Sequence, residues 1–404
     1  MKWVETTFGE FVDCNPMIKC KRNCLVENCE MEDIDANFRY LYPQQGKVYT
    51  GSGSKFQNGD TVFSRITPCL ENGKIAQIKG LKNNVGVGST EFFVFRGKAN
   101  VSDNDFVYYL ANSRYIRKSA ENSMAGASGR QRADLNFIKS RTIRVPEQVE
   151  DQKRISSILS HYDDLIEINK RRIALLEESA RELYKEWFVR MRFPGWETSE
   201  FVNGVPNDWD EKEFSSIIDI CSSKRIFQSE YVSNGVPFYR GQEITQLANN
   251  ELIDNVLYIS KERYDQIRKS NDVPQEGDIL LTAVGTIGNS FMVDNREFYF
   301  KDGNIIWLKT RNSNLKYYLY SLLNTSYFRE LINNTCIGSS QKALTIDMVG
   351  KIKIVVPSES VIKKFSQLYE VFHSAKNILI KEIYKLSLQR DRLLPRLMSG
   401  QLEV

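Results

Sequence analysis

The sequence predicts an α+β protein in which two duplicated mixed α/β domains are separated by an antiparallel pair of long coiled-coil-like helices. Three observations carry this. Two long stretches place apolar residues alternately every four and three positions, short stretches alternate with period two, and a set of segments recurs at a near-constant distance along the chain. With 404 residues, 41% hydrophobic and 26% charged, there is enough chain for two buried cores and a connector.

The repeat opens with WVETTFGEFVD (residues 3–13), matched by WDEKEFSSIID (209–219) with tryptophan, phenylalanine, an apolar pair and aspartate in register. NGDTVFSRI from Asn58 then matches EGDILLTAV from Glu276, and GKIA at Gly73 matches GTIG at Gly285. VYYLANSRYIRK from Val107 pairs with KYYLYSLLNTSYFRE from Lys316, and GRQRADLNFIKSRTIRVP from Gly129 with SQKALTIDMVGKIKIVVP from Ser340. The offset stays between 206 and 218 residues, which means duplication of a domain followed by a helix. TEFFVFRG at Thr90 and NIIWLKTR at Asn304 read as strands of a mixed sheet, and the YYL segments as one short helix per copy. Residues 14–55 and 220–275 share nothing that aligns. A common frame with unrelated inserts suits two binding surfaces of different specificity.

The first long helix begins near Glu150 and stops before Pro194 and Gly195. Its seam is Ile155, Leu159, Tyr162, Ile166, Asn169, Ile173, Leu176, Ala180, Leu183 and Trp187, with Asn169 as a register-setting polar residue. Asp163, Asp164, Glu167, Lys170 and Glu177 belong to a charged outer face. A helix of about 40 residues is a rod of about 60 Å. The second runs through Val361, Phe365, Leu368, Phe372, Ala375, Leu379, Ile383, Leu386, Leu393 and Leu397, with a stutter between Ala375 and Ile383. Seams of matching length predict that the two bury each other.

Catalytic signatures are missing. No phosphate loop of G-x-x-x-x-G-K-[ST] spacing occurs, VGVGS at Val85 leads into a strand, and there is no Pro-Pro for an adenine-methyltransferase motif. DWDEK at Asp208 has half of a nuclease pattern but reads as a helix start. The two histidines, His161 and His373, fall on the long helices and read as packing or solvated residues. Seven cysteines with no secretory segment suit reduced thiols. Cys14, Cys20, Cys24 and Cys29 cluster, but without the paired C-x2-C knuckle, so no metal is expected. No apolar run of signal-peptide or membrane-spanning length occurs, so a cytoplasmic protein without membrane contact is expected.

Binding features are better represented. The net charge of +4 permits an anionic partner. Basic and amide residues gather in loops of both copies: Lys19, Lys21, Arg22, Arg130, Gln131 and Arg132 in the first, and Lys224, Arg225, Arg240, Gln242, Gln341 and Lys342 in the second. Arg and Lys suit phosphate contacts, and Arg, Gln and Asn suit base edges in the major groove. A stand-alone nuclease or methyltransferase, or a coiled-coil scaffold without DNA, are the contrasting readings.

These residues also carry a resemblance. QKRISSILSHYDDLIEINKRRIALLEESARELYKEWFVRMRFPGWE from Gln152, GVPNDWDEKEF from Gly204, the NGD and EGD strand starts, SSQKALT at Ser339 and RDRLLPRLMSGQLEV from Arg390 resemble the specificity subunit of Type I restriction-modification systems over essentially the whole chain. The resemblance implies a target-recognition domain at 1–148, a spacer helix at 149–193, a second target-recognition domain at 194–357 and a pairing helix at 358–404. It implies a non-catalytic subunit that reads double-stranded DNA, each domain taking half of a split, asymmetric site. It further implies two modification subunits that use S-adenosylmethionine to methylate adenine N6, and restriction subunits that use ATP and Mg²⁺. Modification subunits would dock on the helical regions, with Tyr184, Trp187 and Phe188 as candidate contacts, although core packing is the stronger expectation for Trp187.

Overall fold

The computed structural model describes residues 1–126, 129–251, 253, 255–270, 273–310, 313–335 and 343–404. It divides into two compact units, residues 1–171 with 381–404 and residues 172–380. Among the described residues no helix is long and apolar enough to cross a membrane.

In the first unit Trp3–Thr7 pairs antiparallel with Thr142–Pro146, clasping the start and end of the copy. Between them lies a five-stranded sheet in the order Val12–Cys14, Phe92–Gly97, Thr61–Ser64, Ile75–Ile78 and Tyr40–Leu41. The helix Asn104–Asn112 contributes Phe106 and Tyr109 to its core, as the YYL pattern predicts. The insert supplies most of a four-stranded sheet of Gln44–Val48, Leu25–Cys29, Gly86–Gly88 and Ser54–Phe56, to which the frame adds Gly86–Gly88.

The second unit repeats the frame. Asp210–Glu213 pairs antiparallel with Lys353–Val356, so DWDEK enters a strand and not a helix. Its partner strand supplies the backbone bonds, and tertiary pairing overrides the weak strand propensity of four charged residues. The inner sheet runs Asp219–Cys221, Ile305–Lys309, Ile279–Thr282, Ser290–Met292. A separate sheet, Tyr231–Val232, Leu257–Ile259, Val236–Tyr239 and Tyr299–Phe300, comes largely from the other insert.

The NGD and EGD motifs build the same turn twice. Gly59 and Gly277 sit at φ +88° and +90°, a left-handed conformation that a side chain would strain. Asp60 and Asp278 are fully buried and accept from the amides of Gln57 at 2.8 Å and Gln275 at 3.1 Å. The first copy closes its carboxylate with Arg96, at 2.6 and 2.7 Å; the second uses the Trp307 indole, at 2.9 Å. Burial without such donors would cost several kcal/mol, roughly 1–3 per unmade bond.

The central helix spans Val149–Tyr184 and ends in a π-helical turn over Lys185–Val189; the C-terminal helix spans Glu359–Met398. Each unit takes part of its core from both. Ile155, Leu159 and Leu397 close the first unit, and Trp187, Phe188 and Phe365 the second. In the first unit Arg390 meets Asp163 at 2.7 Å, and in the second Lys376 meets Glu177 at 2.8 Å, an antiparallel register in both.

Those pairs correct the seam. Asp163 is buried and Glu177 half-buried, neither on the outer face, and Lys376 takes the turn assigned to Ala375. Leu368 is exposed and Tyr369 is buried in its place, so the run is Phe365, Tyr369, Phe372, Lys376, Leu379, Ile383. Counting apolar residues produces a stutter because a buried cation is invisible to it. Asn169 is buried in the central seam, with Ile166 and Ile173 on either side.

Candidate nucleic-acid interface

Lys19, Lys21 and Arg22 are exposed on the loop between Val12–Cys14 and Leu25–Cys29. The Arg22 guanidinium lies against Gly51, where a Cβ would be 2.8 Å from Nε, so this glycine leaves room for the side chain. Among the described residues these three cations have no acidic partner, which leaves their charge available to an anion.

Arg130 is exposed beside Gly129, while Gln131 is half-buried and donates nothing through its side chain to a described residue; its carbonyl accepts from the Thr67 amide at 3.0 Å. Arg132 is exposed but tied to a carboxylate. It grips Glu91 with Nη2 at 2.6 Å from Oε1 and Nε at 2.9 Å from Oε2, and Arg65 Nε donates to the same carboxylate at 3.1 Å. The two guanidiniums, Arg132 foremost, hold the Glu91 carboxyl below its usual range.

In the second unit Arg225 pairs with Asp302 at 2.8 Å and Arg240 with Glu243 at 2.5 Å. Glu243 also accepts from the Arg240 amide at 2.7 Å, closing the start of the helix Gly241–Ala248, so Arg240 is partly structural. Lys224 and Gln242 are exposed. Gln341 and Lys342 lie outside the described residues.

Tyr184, Trp187 and Phe188 are buried against Tyr318, Phe365 and Trp209, so Trp187 packs in the core as expected and Tyr184 and Phe188 are not exposed for docking. His373 is packed between Tyr317 and Tyr369. Cys20 and Cys24 lie 3.9 Å apart, but Cys29 is buried in another cluster and burial pushes the Cys14 thiol up to about 12. Among the described residues no three His, Cys, Asp or Glu side chains are grouped to hold a metal ion.

Arg65 and Glu91 were not legible as site residues from charge clustering, because each stands alone in a strand-like stretch. Comparing the copies position by position exposes them: the equivalent residues in the second are Ala283 and Asn304, and Ala343 replaces Arg132.

A frame built twice, with its own basic loops on each copy, defines a duplicated recognition module. The chain belongs to the family described as the Type I restriction modification DNA specificity domain, whose model matches residues 2–178 and again 206–385. DNA specificity within a Type I restriction-modification system is therefore its role. The MjaIX specificity subunit of Methanocaldococcus jannaschii is 25% identical over 384 residues, 91% of this chain and 85% of that protein. The MjaVIII specificity subunit from the same organism is 23% identical and covers 100% of this chain and 93% of its own. Among solved structures, the S subunit of a Type I restriction-modification system from M. genitalium covers 98% of this chain and 96% of its own, with a TM-score of 0.56 at 18% identity, so the fold is shared.

Proposed function

We propose that the chain has no catalytic activity of its own. Each unit reads one half of a split, asymmetric site in the major groove of double-stranded DNA, while the long helices set the unread spacer and dock two modification subunits. The observation that carries this is the duplication: one backbone frame occurs twice, and what differs between the copies is the inserts and the loop charges. Lys19, Lys21, Arg22 and Arg130 in the first unit and Lys224 and Gln242 in the second are the leading DNA contacts, since their side chains are exposed.

Docking of two subunits draws support from the helices. Leu165, Ile168 and Leu175 on the central helix are exposed, and so are Leu368, Val371 and Ile378 on the C-terminal helix, with the same spacing of three and seven. Exposed leucine and isoleucine in a helical row suit a partner helix. In this reading S-adenosylmethionine is held by the modification subunits, ATP and Mg²⁺ by restriction subunits, and the complex acts in the cytoplasm.

Incubating the pure chain with DNA, Mg²⁺ and labelled S-adenosylmethionine tests the proposal. No cleavage and no methyl transfer are expected alone, with salt-dependent DNA binding once modification subunits are added. Turnover by the chain alone would sink it.

A further inference from the structure

Glu91 with Arg65 and Arg132 forms an ion triad where the neighbouring strands Thr61–Ser64 and Phe92–Gly97 of the first unit's five-stranded sheet end. The Glu91 side chain is only 19% exposed, whereas Arg65 and Arg132 are 34% and 44% exposed. The second copy is an internal control for what the triad does. In the first copy the Arg65 amide donates to the Glu91 carbonyl at 3.0 Å and the Ala133 amide to the Arg65 carbonyl at 2.8 Å. In the second the Ala283 amide donates to Asn304 at 2.8 Å and Leu344 to Ala283 at 2.9 Å. The β-bridge Ile66 to Arg132 likewise recurs as Val284 to Ala343. The same backbone is thus built with alanine, asparagine and alanine, so the frame does not require the charges.

Two cations share one carboxylate, which leaves a surplus of one positive charge on two half-exposed guanidiniums held in fixed orientation. Arg65 is further fixed over the Phe93 ring, 5.6 Å from its centroid. Fixed forks suit a phosphate oxygen, because their ordering entropy is already spent before binding. We propose that Glu91 is a positioning residue for DNA recognition by the first unit: it aims Arg65 and Arg132 at a backbone phosphate of that half-site. This rests on the DNA-reading function proposed above for this loop.

The test exploits opposite signs. Removing an acid from a DNA-binding face strengthens binding on charge alone. In the complex with modification subunits, Glu91→Gln should instead weaken DNA binding about fivefold to tenfold, as loss of an oriented charge-assisted contact does. Glu91→Asp, which keeps the charge, should retain more affinity. Arg65→Ala and Arg132→Ala should each weaken binding and make the dependence of log K on log salt shallower by about one. Equal or tighter binding by Glu91→Gln, with the arginine variants weakened, overturns the positioning role alone. A melting temperature lowered by more than a few degrees in Glu91→Gln also overturns it, as a purely structural role. If neither arginine variant changes binding, the DNA reading of this loop falls as well.

Discussion

Arg390 Nη1 on the C-terminal helix donates to Asp163 Oδ1 on the central helix at 2.7 Å, with the two side chains 13% and 2% exposed. The Tyr109 hydroxyl donates to the other oxygen of that carboxylate, so the pair is tied to the core of the first unit. Breaking a buried pair by removing one partner leaves an uncompensated charge. Arg390→Ala should therefore destabilise the protein by about 3–5 kcal/mol in urea unfolding, whereas the double variant D163L/R390L should lie much closer to the parent.

Burial lowers the pKa of His373 to about 4, with Lys376 and Lys316 acting in the same direction and Glu370 and Asp294 opposing. The folded protein thus keeps this imidazole neutral while the unfolded chain takes up a proton near pH 6.5. Stability from this group is complete above about pH 6.5 and is lost as pH falls towards 4. Thermal melts between those values should show a shallower decline for His373→Gln than for the parent.

Asp163 and Glu177 are 14 residues apart on one helix, and so are Lys376 and Arg390 on the other, two heptads in both. A heptad inserted into the central helix between Asp163 and Glu177 alone should therefore disturb one of the two ion pairs. Inserting a second between Lys376 and Arg390 should restore both and lengthen the unread spacer while both half-site sequences stay the same. Mapping the methylated adenines made by the reconstituted complex would check this.

Exchanging residues 204–353 for the matching domain of a relative should change one half of the recognised site only. These residues carry the second frame, the first strand of its clasp and its basic loops, and the first unit's core contains none of them. A change in both half-sites would contradict separable readers.

The duplication was legible in the sequence because the frame rests on local rules. NGD and EGD demand a left-handed glycine and a buried aspartate, and Trp3 and Trp209 open strands that clasp Thr142–Pro146 and Lys353–Val356. The central seam was equally legible, since Ile155, Leu159, Ile166 and Ile173 are apolar and all are buried. The C-terminal seam was not, because Lys376 and Arg390 occupy it through partners on another helix.

Arg39 marks the same boundary. It comes from an insert without a counterpart, yet it is buried and donates to Gln77 at 2.9 Å, Tyr109 at 2.9 Å and Ser160 at 2.5 Å. Periodicity and turn chemistry, which act over a few residues, were enough for the sequence by itself to determine a repeated domain-plus-helix chain with basic loops. Which charges are buried, and which arginines among the described residues are braced by Glu91 and which stand without an acidic partner, was decided only by tertiary structure. A charge is stable in a core only through partners far away in the chain, and no local pattern encodes them.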